Sequence, residues 1–238
     1  PKCPMPEPFG VKTFKLPANN GELVHTVLVP PPGGRVYDRV ILYAHGNAED
    51  LSHIYALLLN MAAITGCDVI ALDYLGYGES EGQPSEKGCY ASIDAAYTLA
   101  LQHIGDPKKI IVFGRSIGTG PATDLVSRHP EIGALILQSP MTNGVKWVCG
   151  QGIVGSALAT CLSPVNCFDS ESKIQDVEQP VFIMHGTDDE VIPVSHGEQI
   201  YELVTEKTDP FWAEGYGHND MPEDQCLALV RQFVWSLK

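Results

Sequence analysis

Ile110-Ile111-Val112-Phe113-Gly114-Arg115-Ser116-Ile117-Gly118 runs from an unbroken apolar segment into a serine with a glycine two residues to either side. Helical periodicity begins directly afterwards and continues to Arg128. A strand, a tight turn and a helix in that order place the serine at the apex of a sharp, strained bend. The two glycines allow strand and helix to pass closely. The amide of Ile117 then lies at a helix N-terminus, where a developing negative charge is stabilised.

Outward from this stretch, the same alternation repeats. Short continuous apolar runs stand at Val40–Tyr43, Val69–Leu72, Ala134–Leu137 and Val181–Met184. Such runs mark strands buried on both faces, and hence a parallel sheet covered by helices. Amphipathic periodicity predicts helices over Asp50–Ile64, Ser92–His103, Ile117–Arg128 and Val194–Glu206, with a last one from near Pro222 to Trp235. Before all of these, Phe9–Leu16 and Glu22–Val29 alternate around Asn19-Asn20-Gly21, which predicts an antiparallel hairpin at the sheet edge. The class is α/β. In such sheets chemistry collects at loops leaving the carboxyl ends of strands.

At 238 residues, a single domain over 1–238 is expected, with Met141 to Gln179 as a small lid-like insertion after the sixth strand. The net charge of −14 argues against nucleic acid as a partner, since phosphate neutralisation needs clustered cations. Seven cysteines are scattered without metal-binding spacing, which fits a reduced compartment and a protein that uses no cofactor and no metal. Cys67 and Cys226 lie in apolar surroundings and read as core residues. A dinucleotide-binding reading of Gly114-x-x-x-Gly118-x-Gly120 fails on position, because that pattern belongs after the first strand of its unit. No Tyr is followed four residues later by Lys, as the matching dehydrogenases require.

A serine hydroxyl is a weak nucleophile at neutral pH and needs a base, which in turn needs a carboxylate to fix its tautomer. Val181–Met184 leads into His185-Gly186-Thr187-Asp188-Asp189, and Gly215-Tyr216-Gly217-His218 precedes the last helix. The order Ser116, Asp189, His218 follows, with Asp188 as the alternative acid disfavoured by its spacing from the strand end. The loop His45-Gly46-Asn47-Ala48 after the first parallel strand supplies the backbone amide of Asn47 as a second oxyanion donor beside that of Ile117. His45 and His185 read as turn-shaping residues. His25, His53, His103, His129 and His196 read as packing or solvent-facing.

With these pieces placed, the chain resembles the α/β-hydrolase domain 17 family of protein depalmitoylases from Tyr43 to its C-terminus. The resemblance rests on Ala44-His45-Gly46-Asn47-Ala48, Asp73-Tyr74-Leu75-Gly76-Tyr77-Gly78, Pro84-Ser85-Glu86-Lys87, Ser116-Ile117-Gly118-Thr119, His185-Gly186-Thr187-Asp188-Asp189-Glu190-Val191-Ile192 and Gly217-His218-Asn219-Asp220. It implies the α/β-hydrolase fold, the acid at Asp189, the base at His218 and hydrolysis of S-acyl thioesters on membrane-associated proteins. S-acylated proteins or acyl lipids are the implied partners. The implied location is cytoplasmic, on the cytosolic face of membranes, with peripheral attachment through a segment upstream of Pro1; a monomer is expected. Family members open with a cysteine-rich segment, whereas this chain has only Cys3 there. Its insertion is also longer and more apolar than the family's. Met141, Trp147, Ile153 and Val154 of that insertion are therefore candidates to line a pocket for the acyl chain, the alternative being a small packed helix that binds no ligand. Tyr74, in the loop after Val69–Leu72, is a further pocket candidate, with packing as an equal alternative. An esterase or monoacylglycerol-type lipase with the same triad is the competing enzyme reading. A non-catalytic interaction protein would ordinarily have lost a triad member, and none is missing.

Overall fold

The computed structural model describes residues 10–144 and 167–237. One eight-stranded sheet organises them, in the order β1-β2-β4-β3-β5-β6-β7-β8. Its strands are β1 (Lys12–Pro17), β2 (Leu23–Val29), β3 (Val40–Ala44), β4 (Asp68–Leu72), β5 (Ile110–Arg115), β6 (Ala134–Gln138), β7 (Val181–Gly186) and β8 (Phe211–Ala213). The hairpin β1–β2 is antiparallel, with Lys12 opposite Leu28 and Pro17 opposite Leu23, and β2 joins β4 antiparallel. All pairings from β4 to β8 are parallel. The expected parallel sheet with an N-terminal antiparallel hairpin is what forms.

The continuous apolar strands are buried on both faces because helices cover both. Side chains of α2 (Glu86–Ile104), α3 (Thr119–Arg128) and α5 (Val194–Leu203) pack on one face, with Ile93, Leu125 and Ile200 fully buried. On the other face lie α1 (Tyr55–Thr65) and α6 (Glu223–Ser236), contributing Leu58, Met61, Val230 and Val234. Cys67 and Cys226 are buried in that second layer, and Cys89 and Cys167 in the first. A short helix, α4 (Ser170–Lys173), precedes β7. Among the described residues, no helix is long and apolar enough to cross a membrane.

Three helix starts differ from the sequence expectation, each for a local reason. α1 begins at Tyr55 rather than Asp50, because Asp50 Oδ1 accepts the amides of Ser52 and His53 and closes a separate turn. α2 begins at Glu86 rather than Ser92, because Ser85 Oγ caps it by accepting the Gly88 amide at 2.9 Å. The helix after Ser116 opens with a 3₁₀ turn over Ser116–Gly118, so α3 starts at Thr119.

The sheet order reverses direction between β3 and β5, which leaves a crevice at their carboxyl ends. The backbones meet tightly there. A Cβ on Gly118 would stand 2.2 Å from the Ala44 carbonyl oxygen at the end of β3. Gly118→Ala is therefore expected to destabilise the fold by about 3 kcal/mol through overpacking. A thermal melt reads this as a drop of roughly 10 °C. An unchanged melting temperature would refute the tight junction.

Candidate active site

Ser116 sits in the left-handed region at φ 54°, the strained conformation that a sharp strand–helix bend imposes. Thr119 Oγ1 donates to the Ser116 carbonyl at 2.6 Å and pins the bend from the helix side. Ser116 is 8% exposed, so its hydroxyl is at the floor of a recess rather than on the surface.

His218 arrives from the loop between β8 and α6. That loop is held by the Gly217 amide donating to Asp220 Oδ1 at 2.6 Å and by the His218 amide donating to Glu190 Oε2 at 3.4 Å. The His218 ring stands 2.9 Å from Ser116 Oγ through Nε2 and 2.7 Å from Asp189 Oδ2 through Nδ1. A carboxylate can only accept, so Nδ1 carries the proton. Nε2 is then left with a lone pair facing the serine hydroxyl.

Asp189 lies on the loop after β7, with its side chain fully buried. Its Oδ1 accepts the amides of Val191 at 2.9 Å and Ile192 at 2.7 Å. Its Oδ2 faces two imidazoles, His218 Nδ1 and, at 3.2 Å, His185 Nε2. Burial pushes the Asp189 pKa up, but the hydrogen bonds from His185, His218 and the Ile192 amide outweigh it and hold the carboxyl well below its usual range. Asp189 is thus a charged acceptor at every pH near neutrality. Asp188 is exposed, and among the described residues only Thr187 Oγ1 reaches its carboxylate, at 3.3 Å, so the two candidate acids separate cleanly.

His185, read from sequence as a turn residue, does more than shape the turn. Its Nε2 donates to the Ile192 carbonyl at 2.8 Å as well as facing Asp189, while Nδ1 is buried without a partner among the described residues. Both neighbours of Nε2 are acceptors, so the proton is on Nε2. His45 has the opposite tautomer, with Nδ1 donating to the Gly46 carbonyl at 2.7 Å, and burial lowers its pKa. His25, expected to be a packing residue, is buried with its ring 2.9 Å from Asp73 Oδ2.

A cavity of about 200 Å³ opens beside Ser116. Ile117, Met141, Phe168, Val191 and Ile192 give it apolar walls, and Asn47 borders it from the loop after β3. The structure thus brings together Ser116, Asp189, His218, Asn47, Ile117 and Met141. Tyr74 is corrected. It is fully buried, sets its ring 4.5 Å from and tilted against the His45 ring and donates to the His45 carbonyl at 2.8 Å, so it braces the loop instead of lining the cavity. Trp147, Ile153 and Val154 lie outside the described residues. Phe168 and Val191 were missed. They sit in loops, where no periodicity marks an inward-facing side chain.

Comparison with known proteins agrees with this fold. A family model for the alpha/beta hydrolase fold matches residues 39–152. An esterase from Pyrococcus furiosus superimposes with a TM-score of 0.76 at 18% identity, covering 96% of this chain and 93% of its own. Est1E of Butyrivibrio proteoclasticus, a structure with ferulic acid bound, superimposes with 0.74 at 18% identity, covering 93% and 98%. At that identity the likeness is one of fold. Sequence relatives are nearer. Alpha/beta hydrolase domain-containing protein aho-3 of Caenorhabditis elegans is 41% identical over 88% of this chain. The 17C proteins of Homo sapiens and Xenopus tropicalis are 40% and 37% identical over 82% and 94% of it. The chain spans 60%, 57% and 70% of these three relatives' own lengths. With that identity and coverage, this hydrolase belongs to the alpha/beta hydrolase domain-containing protein 17 family.

Proposed function

We propose that this hydrolase removes long-chain acyl groups from cysteine thioesters on proteins, using Ser116 as nucleophile, His218 as base and Asp189 as its orienting acid. The observation that carries the reading is the apolar cavity directly against the Ser116 hydroxyl. A polar or anionic acyl group would lose its hydration against those walls with no hydrogen bonds in return, whereas an alkyl chain is matched to them.

In this mechanism Ser116 Oγ attacks the thioester carbonyl carbon as His218 Nε2 takes its proton. The carbonyl π pair moves to oxygen, and the backbone amides of Ile117 and Asn47 stabilise the resulting oxyanion. Asp189 stays ionised and holds the imidazolium. Collapse of the tetrahedral intermediate breaks the C–S bond, and His218 returns the proton to the sulfur, which leaves as the cysteine thiol. Water then attacks the acyl-Ser116 ester by the same route and releases a fatty acid. Substrates of this kind are held on membranes, so the reaction is placed at the cytosolic membrane surface.

The test is a release assay on S-acyl peptides of graded chain length, with acyl glycerol esters alongside. Each methylene buried in the cavity contributes ~0.8 kcal/mol, so kcat/KM is expected to rise about fourfold per methylene until the cavity is filled. Met141→Trp, which fills the cavity, should cost long chains more than tenfold, roughly two methylenes' worth, and leave acetyl substrates unchanged. A flat rate across chain lengths in the wild type would remove the acyl reading. Faster turnover of glycerol esters than of thioesters would transfer it to a lipase.

A further inference from the structure

Glu49 and Arg115 are 66 positions apart in sequence and form an ion pair at the edge of the site through Arg115 Nη1 and Glu49 Oε1. Each partner has a second anchor. Glu49 Oε2 accepts the Gly46 amide at 3.0 Å, and Arg115 Nη2 donates to Asn219 Oδ1 at 3.1 Å. The pair therefore joins three segments: the loop carrying Asn47, the residue before Ser116 and the residue after His218. Its side chains are only 14% and 25% exposed, so screening by water is partial.

We propose that Glu49 and Arg115 are positioning residues for the oxyanion site, and that Arg115 also cancels a negative charge that would otherwise oppose the reaction. The inference rests on the assignment of Ser116 as nucleophile. The loop from Gly46 to Ala48 needs an external hold, because Ala48 lies at φ 58°, a conformation that a side chain disfavours. Tyr77 supplies one hold by donating its hydroxyl to Asn47 Oδ1 at 2.9 Å. Glu49 supplies another through the Gly46 amide. That solution brings a carboxylate against the wall of the very cavity in which the substrate carbonyl oxygen becomes anionic. An unpaired anion there raises the energy of the transition state while leaving the neutral ground state untouched. Arg115 removes the problem by pairing, and its link to Asn219 fixes the pair on the base side.

Charge and geometry make separable predictions. Arg115→Met leaves Glu49 unpaired, and kcat on a p-nitrophenyl ester should fall about 100-fold, the scale of losing an oxyanion donor. KM should stay within twofold. Glu49→Gln keeps an oxygen for the Gly46 amide and should cost much less. The double variant Glu49→Gln with Arg115→Met should be several-fold more active than Arg115→Met alone, because the offending charge has gone. A trifluoromethyl ketone, whose adduct carries the oxyanion, should lose affinity in step with kcat. A purely structural pair would give a double variant no better than the worse single one, and would lower the melting temperature with kcat.

That result, or Arg115→Met within twofold of wild type, overturns the proposal. Should neither arginine variant fold, Asn219→Ala at the exposed end is expected to lower kcat three- to tenfold at constant KM, and an unchanged kcat overturns it. Ser116→Ala is measured in parallel. Activity that survives Ser116→Ala defeats the nucleophile assignment itself. Ser116-dependent activity that is indifferent to Arg115 defeats only the positioning role.

Discussion

Replacing Ser116 with alanine is expected to lower kcat by ~10⁶-fold, the scale seen when a triad nucleophile is removed. The protein should remain folded. Alanine at φ 54° carries the same backbone strain that serine already bears, and the hydrogen bond from Thr119 goes to the main-chain carbonyl, which is unchanged. The lost group is one hydroxyl hydrogen-bonded to His218. A fluorophosphonate probe should label the wild type and leave the variant unmarked, with melting temperatures within a few degrees. Substantial turnover by the pure, folded variant would end the serine mechanism.

The second large effect is at Asp189. Asp189→Asn should reduce kcat by ~10⁴-fold, as when the orienting acid of a serine protease is made an amide. Here the hydrogen-bond inventory shows why no rotamer rescues it. With the amide nitrogen in place of Oδ2, donors face the N–H groups of His218 and His185; in place of Oδ1, they face the amides of Val191 and Ile192. The cheapest relief is for His218 to move its proton to Nε2, which points it at Ser116 and removes the base. Asp188→Asn, at an exposed position, should leave kcat within twofold. If it proves the more damaging change, the acid has been misassigned. The sign with pH follows from the depressed Asp189 pKa. Its contribution to stability is complete above the unfolded carboxyl value of about 4 and is lost only as pH falls below that.

The central strands could be read directly, because a strand buried on both faces must be apolar at consecutive positions, as Ile110 to Phe113 are. The elbow was legible for a related reason. Gly118 has no room for a Cβ against β3, so the close junction writes itself into the sequence. Helix starts were less legible. Ser85 and Asp50 both offer a side-chain oxygen to nearby amides, and only the three-dimensional path decides which offer begins a helix. What sequence could not reveal was the long-range polar wiring. Glu49 paired with Arg115, 66 positions away, leaves no periodic trace, since the contact depends on where the loop after β3 ends, and even His185 meets Asp189, four residues on, only through the turn that follows β7. Tyr74 failed as a pocket residue for the same reason: a tyrosine near a site can face inward to brace a loop as readily as outward to a ligand.

The place of β5 in the strand order has a dynamic consequence. It is paired with β3 on one side and β6 on the other, well inside an eight-stranded sheet. Amide hydrogens of such a strand exchange with solvent only through openings close to global unfolding, whereas loops at the rim exchange through small local fluctuations. Ser116 is thus fastened to the slowest-exchanging part of the molecule, and His218 to a loop beyond the last edge strand. Adjustment to substrates of different bulk is therefore expected in the His218 loop rather than in the strand that leads to Ser116.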